Sequence, residues 1–172
     1  MINQLTKILK NLLDLPLWSI GRAGSLEWFA FGSERREIPL KNGKYKTVSD
    51  YALHVQCSWR IRDKNKILIA SRDRFYPSGA DPYAEIDNFE WDKDGANQLD
   101  QRITEFMARE TLPLNVRQIV ADDIGSFKLK LNDTYFFEVF PDNSIATEYW
   151  RLFRPYSDQE HFVCTNEGIK RE

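Results

Sequence analysis

The chain has 172 residues, of which 42% are hydrophobic and 13% are aromatic. Such a chain buries enough apolar surface for a folded domain, so global disorder is excluded. Charged residues make up 29%, but the formal net charge is only −2, which gives no overall field for nucleic acid or an anionic membrane. No apolar run reaches the roughly 18 residues of a membrane span. Two cysteines are too few for a disulfide framework, so we predict a cytoplasmic protein with reduced thiols.

The N-terminal segment predicts an amphipathic helix that packs on the domain and ends before Pro16. Lys7, Lys10 and Asp14 fall on the face opposite to an apolar stripe. A helix lying on a membrane surface is the alternative, but such helices carry more Lys and Arg. The stripe consists of Ile2, Leu5, Ile8, Leu9, Leu12 and Leu13.

Strand signals follow in the first half of the chain. Asn42-Gly43 between two of the strands is a strong hairpin signal. The longest strand has an apolar face that contains Cys57 and Trp59, and polar residues on the alternate positions. Runs of apolar and aromatic residues bounded by turn residues predict strands over 17–22, 26–31, 36–40, 45–48, 51–62 and 67–71.

The second half has a similar organisation. Residues 73–94 are rich in acidic residues and have no clean period, which predicts a long exposed loop. Asp94 is expected to cap a helix that runs to about Thr111. The fold class that we predict is α+β, with two helices packed on antiparallel β-sheets. Further strands are predicted over 116–121, 127–131, 135–140, 149–153 and 161–165.

Short motifs occur in the same order in the two halves, which favours an internal duplication. Asn-Gln-Leu opens each helix, Leu-Pro-Leu follows each helix, and each half later has Gly-Ser and then Trp-Arg before an apolar residue. Any two helix–Pro–strand units can share such short motifs by chance, which is the alternative explanation. We expect Trp59 and Trp150 at equivalent, buried positions. We expect one compact domain over 1–172, with pseudo-repeats over 1–72 and 95–165 that are joined by the acidic loop 73–94.

Three motifs of the first half resemble those of a family of small uncharacterised bacterial proteins. The resemblance covers about residues 20–77. It implies a bacterial, intracellular protein, and it implies no activity, cofactor or catalytic residue. The motifs are Arg22-Ala23 with Leu26 and Phe31-Gly32, Ala52 to Cys57 followed by Trp59-Arg60-Ile61, and Ala70 to Asp73 with Tyr76-Pro77.

The histidines and cysteines recur with one spacing, as His54-x-x-Cys57 and His161-x-x-Cys164. Two imidazoles and two thiolates would suit a tetrahedral zinc ion. Positions i and i+3 of a strand point to opposite faces, so we predict instead that both cysteines are packing residues. The acidic run 90–95 resembles the start of a calcium loop but lacks the Glu that such a loop needs at its twelfth position. We therefore predict no metal and no cofactor.

The polar face of segment 51–62 is a candidate ligand site. His54, Gln56, Arg60 and Arg62 would lie on alternate positions, with Arg72 beside them, and could hold a carboxylate or a phosphate. An ordinary solvated sheet face with cross-strand charge pairs is the alternative.

The acidic loop is a second candidate surface. Tyr83 and Trp91 are candidate anchors for a partner with a basic surface, because Trp and Tyr dominate binding hot spots and the acidic charge would speed encounter. The alternative is that the loop has only a structural role and covers the domain, with its aromatic residues packed on the core.

Two function hypotheses follow, and an enzyme is the less favoured, since no phosphate-binding loop, nucleophile elbow or zinc-protease motif occurs. The first hypothesis is a non-enzymatic protein that binds another protein through a surface, as immunity proteins do. The alternative is a small-molecule-binding or enzymatic domain centred on the polar face of segment 51–62. Neither nucleic acid nor membrane is an expected partner. A deep pocket at the polar face would favour the alternative, whereas a flat face with an exposed acidic loop would favour the first hypothesis.

Overall fold

A computed structural model describes residues 4–33, 35–79, 81 and 87–172 of the chain. Within these ranges the protein is mostly β, with two α-helices, α1 (Gln4–Leu9) and α2 (Gln98–Arg109). The predicted combination of helices and antiparallel strands is present, but strands predominate. The strands are β1 (Pro16–Ala23), β2 (Leu26–Phe31), β3 (Arg36–Pro39), β4 (Tyr45–Val48), β5 (Tyr51–Val55), β6 (Ser58–Arg62), β7 (Ile67–Ala70), β8 (Leu114–Ala121), β9 (Phe127–Leu131), β10 (Tyr135–Phe140), β11 (Glu148–Phe153), β12 (Phe162–Thr165) and β13 (Gly168–Arg171).

Eleven of the described strands form one antiparallel sheet that folds into two facing layers. The first layer has the order β13-β12-β11-β5-β2-β1, and the second has the order β8-β9-β10-β6-β7. β1 joins β8 through the register pair Pro16–Asn115 and its neighbour. The ring of Phe29 in the first layer lies 4.9 Å from that of Trp59 and 4.3 Å from that of Phe137, both in the second layer. The inward side chains of both layers therefore share one core. The remaining strands, β3 and β4, pair as a separate hairpin.

Of the two helices, α1 packs against β8, and α2 packs against β1 and β7. α1 is shorter than the predicted helix and continues as a 3₁₀ turn over Lys10–Leu12. Leu13 is 42% exposed, so it does not belong to the buried stripe, and Ile2 lies outside the described residues. No helix of the described ranges is long and apolar enough to cross a membrane. The buried members of the predicted stripe are Leu5, Ile8, Leu9 and Leu12.

Asn97 caps α2, so the prediction of Asp94 as the cap was wrong. The Asn97 side chain accepts a hydrogen bond from the backbone N–H of Asp100 at 2.9 Å. Its amide also donates to the backbone oxygen of Trp91 at 2.7 Å, and its backbone bridges to Pro77. Residues 91–96 form turns and bends, and Asn97 itself is extended, so the helix begins three residues after the expected position. The helix ends at Arg109 rather than Thr111.

The predicted strand over 51–62 is two strands in different layers. β5 pairs with β2 and β11, whereas β6 pairs with β10 and β7. Gln56 and Cys57 form the crossing, where the backbone N–H of Gln56 donates to the oxygen of Tyr149 at 2.8 Å. Because the layers face each other, the polar residues of β5 and those of β6 lie on opposite outer surfaces. The alternation continues through the crossing, with Leu53, Val55, Cys57, Trp59 and Ile61 all buried.

The other strands lie close to their predicted positions, with one addition. β13 was not predicted, since its sequence Gly-Ile-Lys-Arg has a single apolar residue. It is an edge strand that pairs only with β12 among the described strands, which explains why its pattern is polar. The expected hairpin around Asn42-Gly43 is present as β3 and β4.

Strand order is the same in both layers when each is followed outward from the β1–β8 junction. The first layer has β1, β2, β5, β11 and β12, and the second has β8, β9, β10, β6 and β7. β13 is an additional edge strand of the first layer, without a counterpart among the described strands of the second. The register shifts in corresponding places, after Leu17 in β1 and after Val116 in β8. Trp59 faces Val139 in β10, a strand that belongs to the other half of the chain. Trp150 likewise faces Val55 in β5, and both tryptophans are buried.

Candidate ligand-binding cavity

A cavity of about 660 Å³ lies between the outer face of the first layer and the β3–β4 hairpin. Its walls are aromatic, with Trp18, Trp28, Phe153 and Tyr156 among the lining residues. The hairpin contributes residues 46–48 to the lining, and Ser49 follows them. This volume is in the range of sites that hold small organic molecules, which are usually concave, largely apolar and rich in aromatic side chains.

The cavity exists because a row of small residues crosses three neighbouring strands. Ser19 pairs with Ala30, which pairs with Ala52, and all three line the cavity. Side chains of a strand alternate between faces, so these residues lie on the outer face while their neighbours fill the core. The row ends at Phe153, the partner of Ala52 in β11. The small residues form a floor, and the Phe153 ring closes one end.

The next row of residues on this outer face forms a wall of the cavity. It contains Trp28, whose partners in register are Gly21 on one side and His54 on the other. A Cβ atom at Gly21 would overlap the Trp28 indole. The indole therefore lies across the backbone of β1, a position that requires a glycine beneath it.

Two histidines meet at the end of the cavity that Phe153 closes. The Phe153 ring lies 4.8 Å from that of His54 and is stacked on that of His161 at 4.5 Å. Burial lowers the pKa of His54, and the neighbouring Arg151 lowers it further. His54 is therefore neutral at pH 7, and a neutral imidazole has one hydrogen-bond donor and one acceptor nitrogen.

The cysteines lie apart from these histidines, as the face alternation predicted. Cys57 is 4% exposed and Cys164 is 2% exposed, and both are free thiols in the core. Burial raises the pKa of each thiol to about 12. Within the described residues, no group of three or more His, Cys, Asp or Glu side chains is arranged to hold a metal ion.

The polar residues predicted for one strand face are not brought together. Of this set, His54 lines the cavity, while Gln56 is exposed at the crossing between the layers. Arg60 and Arg62 lie on the outer face of the second layer, where both bind Glu138, at 2.6 Å and 2.9 Å. The single-face alignment expected from the sequence is wrong, because β5 and β6 belong to different layers.

Two further predicted residues, Arg72 and Trp91, do not line the cavity. Arg72 is exposed in a 3₁₀ turn over Ser71–Phe75. Trp91 is half-buried, and its ring packs on that of Phe75 at 5.9 Å. Tyr83 lies outside the described residues.

Arg22 ties the end of the acidic loop to the fold. Its Nε donates to a carboxylate oxygen of Asp100 at 2.7 Å, and an Nη lies 3.3 Å from the carboxylate of Asp92. The Arg22 side chain is almost fully buried. This part of the loop is therefore held against β1 rather than projecting freely.

Sequence reasoning missed the aromatic walls of the cavity. Trp18, Trp28 and Tyr156 lie far apart in the chain and come together only through strand pairing and the hairpin. A local signal did exist: Ala30 lies between aromatic neighbours, at a position where the alternation places its side chain outward.

Comparisons of the chain with protein-family models, with curated proteins and with solved structures find no match.

Proposed function

We propose that the protein binds a small, flat, largely apolar molecule in the cavity beneath the β3–β4 hairpin. Of the residues on the polar face of segment 51–62, only His54 lines this cavity, so the small-molecule site that we propose is limited to the surface around His54. The observation that carries it is the row of small residues, which is walled by aromatic rings and covered by a hairpin. We place the protein in the cytoplasm, where two free cysteines would stay reduced.

The second layer supports the proposal by contrast. In the first row beyond the register shift it has Gln118, Lys130 and Phe136, where the first layer has Ser19, Ala30 and Ala52. Its larger side chains occupy the corresponding space. β9 and β10 are joined by a short turn, so no hairpin covers this face. An open space under a cover is therefore specific to the first layer and is not a general consequence of the fold.

The test is a titration with 2-naphthamide, a flat neutral molecule, followed by the indole N–H signals of ¹⁵N-labelled protein. We expect a dissociation constant below about 1 mM, which is ordinary for a ligand of this size. The signals of Trp18 and Trp28 should shift, while those of Trp59 and Trp150 in the core should not. Absence of binding, or equal shifts of all five tryptophans, would contradict the proposal.

A cavity-filling variant provides the matched control. Ala52→Phe introduces the side chain that the second layer has at the corresponding position, and it should abolish the Trp18 and Trp28 shifts. Phe136→Ala makes the reverse change on the second layer and should leave binding unchanged. Ala52→Leu fills less space and should weaken binding partly. Retained binding by a folded Ala52→Phe variant would place the ligand elsewhere.

A second candidate function is docking of a partner with a basic surface to the acidic loop, as in immunity proteins. Its support is the exposure of Phe75 and Tyr76, which are 52% and 44% exposed close to exposed acidic residues of the loop. Hydrogen exchange tests this candidate, because a docking loop should exchange faster than the strands. Protection over 87–94 equal to that of β5 would favour a structural lid instead.

We also propose that the two halves arose by internal duplication and form one domain. The support is the shared strand order, the matching register shifts and the equivalent positions of Trp59 and Trp150. Because the strands of the halves interleave, fragments 1–79 and 87–172 should each be unfolded alone and should assemble when they are coexpressed. Independent folding of either fragment would contradict the single domain.

A further inference from the structure

Three cationic side chains lie at the cavity. Lys46 lines it directly. An Nη of Arg36 donates to the oxygen of Pro155, a lining residue, at 3.3 Å. The guanidinium of Arg35 lies 4.6 Å from the ring of Trp18, another lining residue. We call these three residues the cationic rim.

The cationic rim lacks counter-ions in the part of the chain that the structure describes. No described carboxylate lies within ion-pair distance of Arg35, Arg36 or Lys46, and no described Asp or Glu lines the cavity. Other arginines of the fold are paired: Arg60 and Arg62 share Glu138, and Arg151 binds Glu148. The rim therefore contrasts with these paired arginines.

One arginine of the rim also has an unused hydrogen-bond donor. The Nε atom of Arg36 is buried and has no hydrogen-bond partner among the described residues. A buried donor without a partner is costly, and a charged one is more so. An anion is the partner that a guanidinium accepts best, since its planar donors match a carboxylate in two parallel bonds.

We infer that the ligand is an aromatic carboxylate, with its flat body against the indoles and its carboxylate at the cationic rim. The inference rests on the proposed function, because it assigns the chemistry of a ligand in the same cavity. The aromatic body follows from the walls, where ring stacking favours flat partners over flexible chains. The negative charge follows from the rim, which has three cations and no described acid to balance them.

The experiment compares 2-naphthoate with 2-naphthamide, which have the same ring system and differ in charge. At low salt we expect 2-naphthoate to bind about tenfold more tightly, because a charged hydrogen bond contributes more than a neutral one. Added salt should reduce the difference, because it screens the attraction. Decanoate, an acid without a ring, should bind more weakly than 2-naphthoate.

Variants identify the cations that are responsible. Arg36→Gln should weaken the binding of 2-naphthoate much more than that of 2-naphthamide and so remove most of the preference for the acid. Lys46→Gln changes an exposed side chain and should reduce the preference by a smaller factor, without risk to the fold. Lys130→Gln removes a cation from the outer face of the second layer and is the matched control, which should change neither affinity.

The outcomes separate this inference from the proposed function. If both naphthyl ligands bind equally well in the cavity, the inferred charge is wrong and the proposed function stands. If decanoate binds as tightly as 2-naphthoate, the aromatic part of the inference is wrong. If neither naphthyl ligand binds, both proposals fail.

Discussion

The two layers have the same strand order but opposite kinds of outer face. On the first layer, small and aromatic residues around Ala30 and Ala52 leave a covered cavity. On the second layer, the corresponding row contains Lys130, Phe136 and Arg62, and the next row contains Glu138 and Arg60, with Glu138 bound to both arginines. The backbone arrangement is therefore compatible with either surface. The side chains of two rows and one inserted hairpin decide which layer can hold a ligand.

The largest expected effects lie in the core that the layers share. Trp59→Ala should lower the free energy of unfolding by about 3–5 kcal/mol, the usual cost of truncating a large buried aromatic side chain. Trp150→Ala should cost at least as much, since the Trp150 Nε1 also donates to the oxygen of Gly125 at 2.8 Å. Urea unfolding measures both, with the half-buried Trp91→Ala as control. A cost below about 1 kcal/mol for either would show that the two tryptophans are not equivalent core residues.

A substitution at Gly21 tests whether this glycine sets the position of Trp28 in the cavity wall. Gly21→Ala forces the Trp28 indole to move and should cost about 1–3 kcal/mol, as overpacking does. The corresponding residue of the second layer is Val120, which is exposed, so Val120→Ala should change stability by less than about 0.5 kcal/mol. Thermal unfolding compares the two variants. Similar costs for both would mean that the Trp28 position does not depend on Gly21.

Inside the core, the two layers differ at Glu27. It faces Arg22 in register, at the position where the second layer has Phe127 facing Ala121. The Glu27 side chain is fully buried, and burial raises its pKa to about 7, although Arg74 at 2.8 Å opposes this effect.

The raised pKa predicts a pH dependence of stability. Between pH 4.5 and pH 7 the folded state holds a proton at Glu27 that the unfolded state releases, so stability falls as the pH rises. Relative to Glu27→Gln, wild-type stability should fall by on the order of 1–3 kcal/mol between pH 5 and pH 8. Urea unfolding at both values measures the difference. A rise with pH would instead show that Arg74 keeps Glu27 ionised throughout.

The smallest effect is expected on the outer face of the second layer. Burial alone would raise the pKa of Glu138, but hydrogen bonds from Arg62 and Arg60 outweigh it and lower the pKa. The two arginines are partly exposed, so Glu138→Gln should cost no more than about 1 kcal/mol and less at high salt. Binding of 2-naphthamide should be unchanged. A loss of ligand affinity would connect the two faces and weaken the contrast between them.

The local pattern predicted most strands, because period-two alternation reports which side chains face the core. The crossing at Gln56 and Cys57 was not predictable from that pattern, since the alternation passes through it without a break. The cap at Asn97 was missed because Asp94 is an equally good capping residue, and the choice depends on contacts with Pro77 and Trp91.

The cavity itself required the strand register. Ser19, Ala30 and Ala52 are ordinary small residues in the sequence, and they become a floor only when three strands align them. His54 was identified as a candidate from its strand, but its neighbour His161 comes from a part of the chain that no local spacing connects to it.

The interleaving of the strands also constrains how the chain folds during synthesis. Residue 54 in β5 pairs with residue 151 in β11, so the outer edge of β5 has no partner until most of the chain has left the ribosome. At synthesis rates of roughly 5–20 residues per second, this edge waits for several seconds or longer. Pairings so distant in sequence fold slowly, and an open strand edge is prone to aggregation. We therefore expect the nascent chain to be prone to aggregation until β11 pairs with β5.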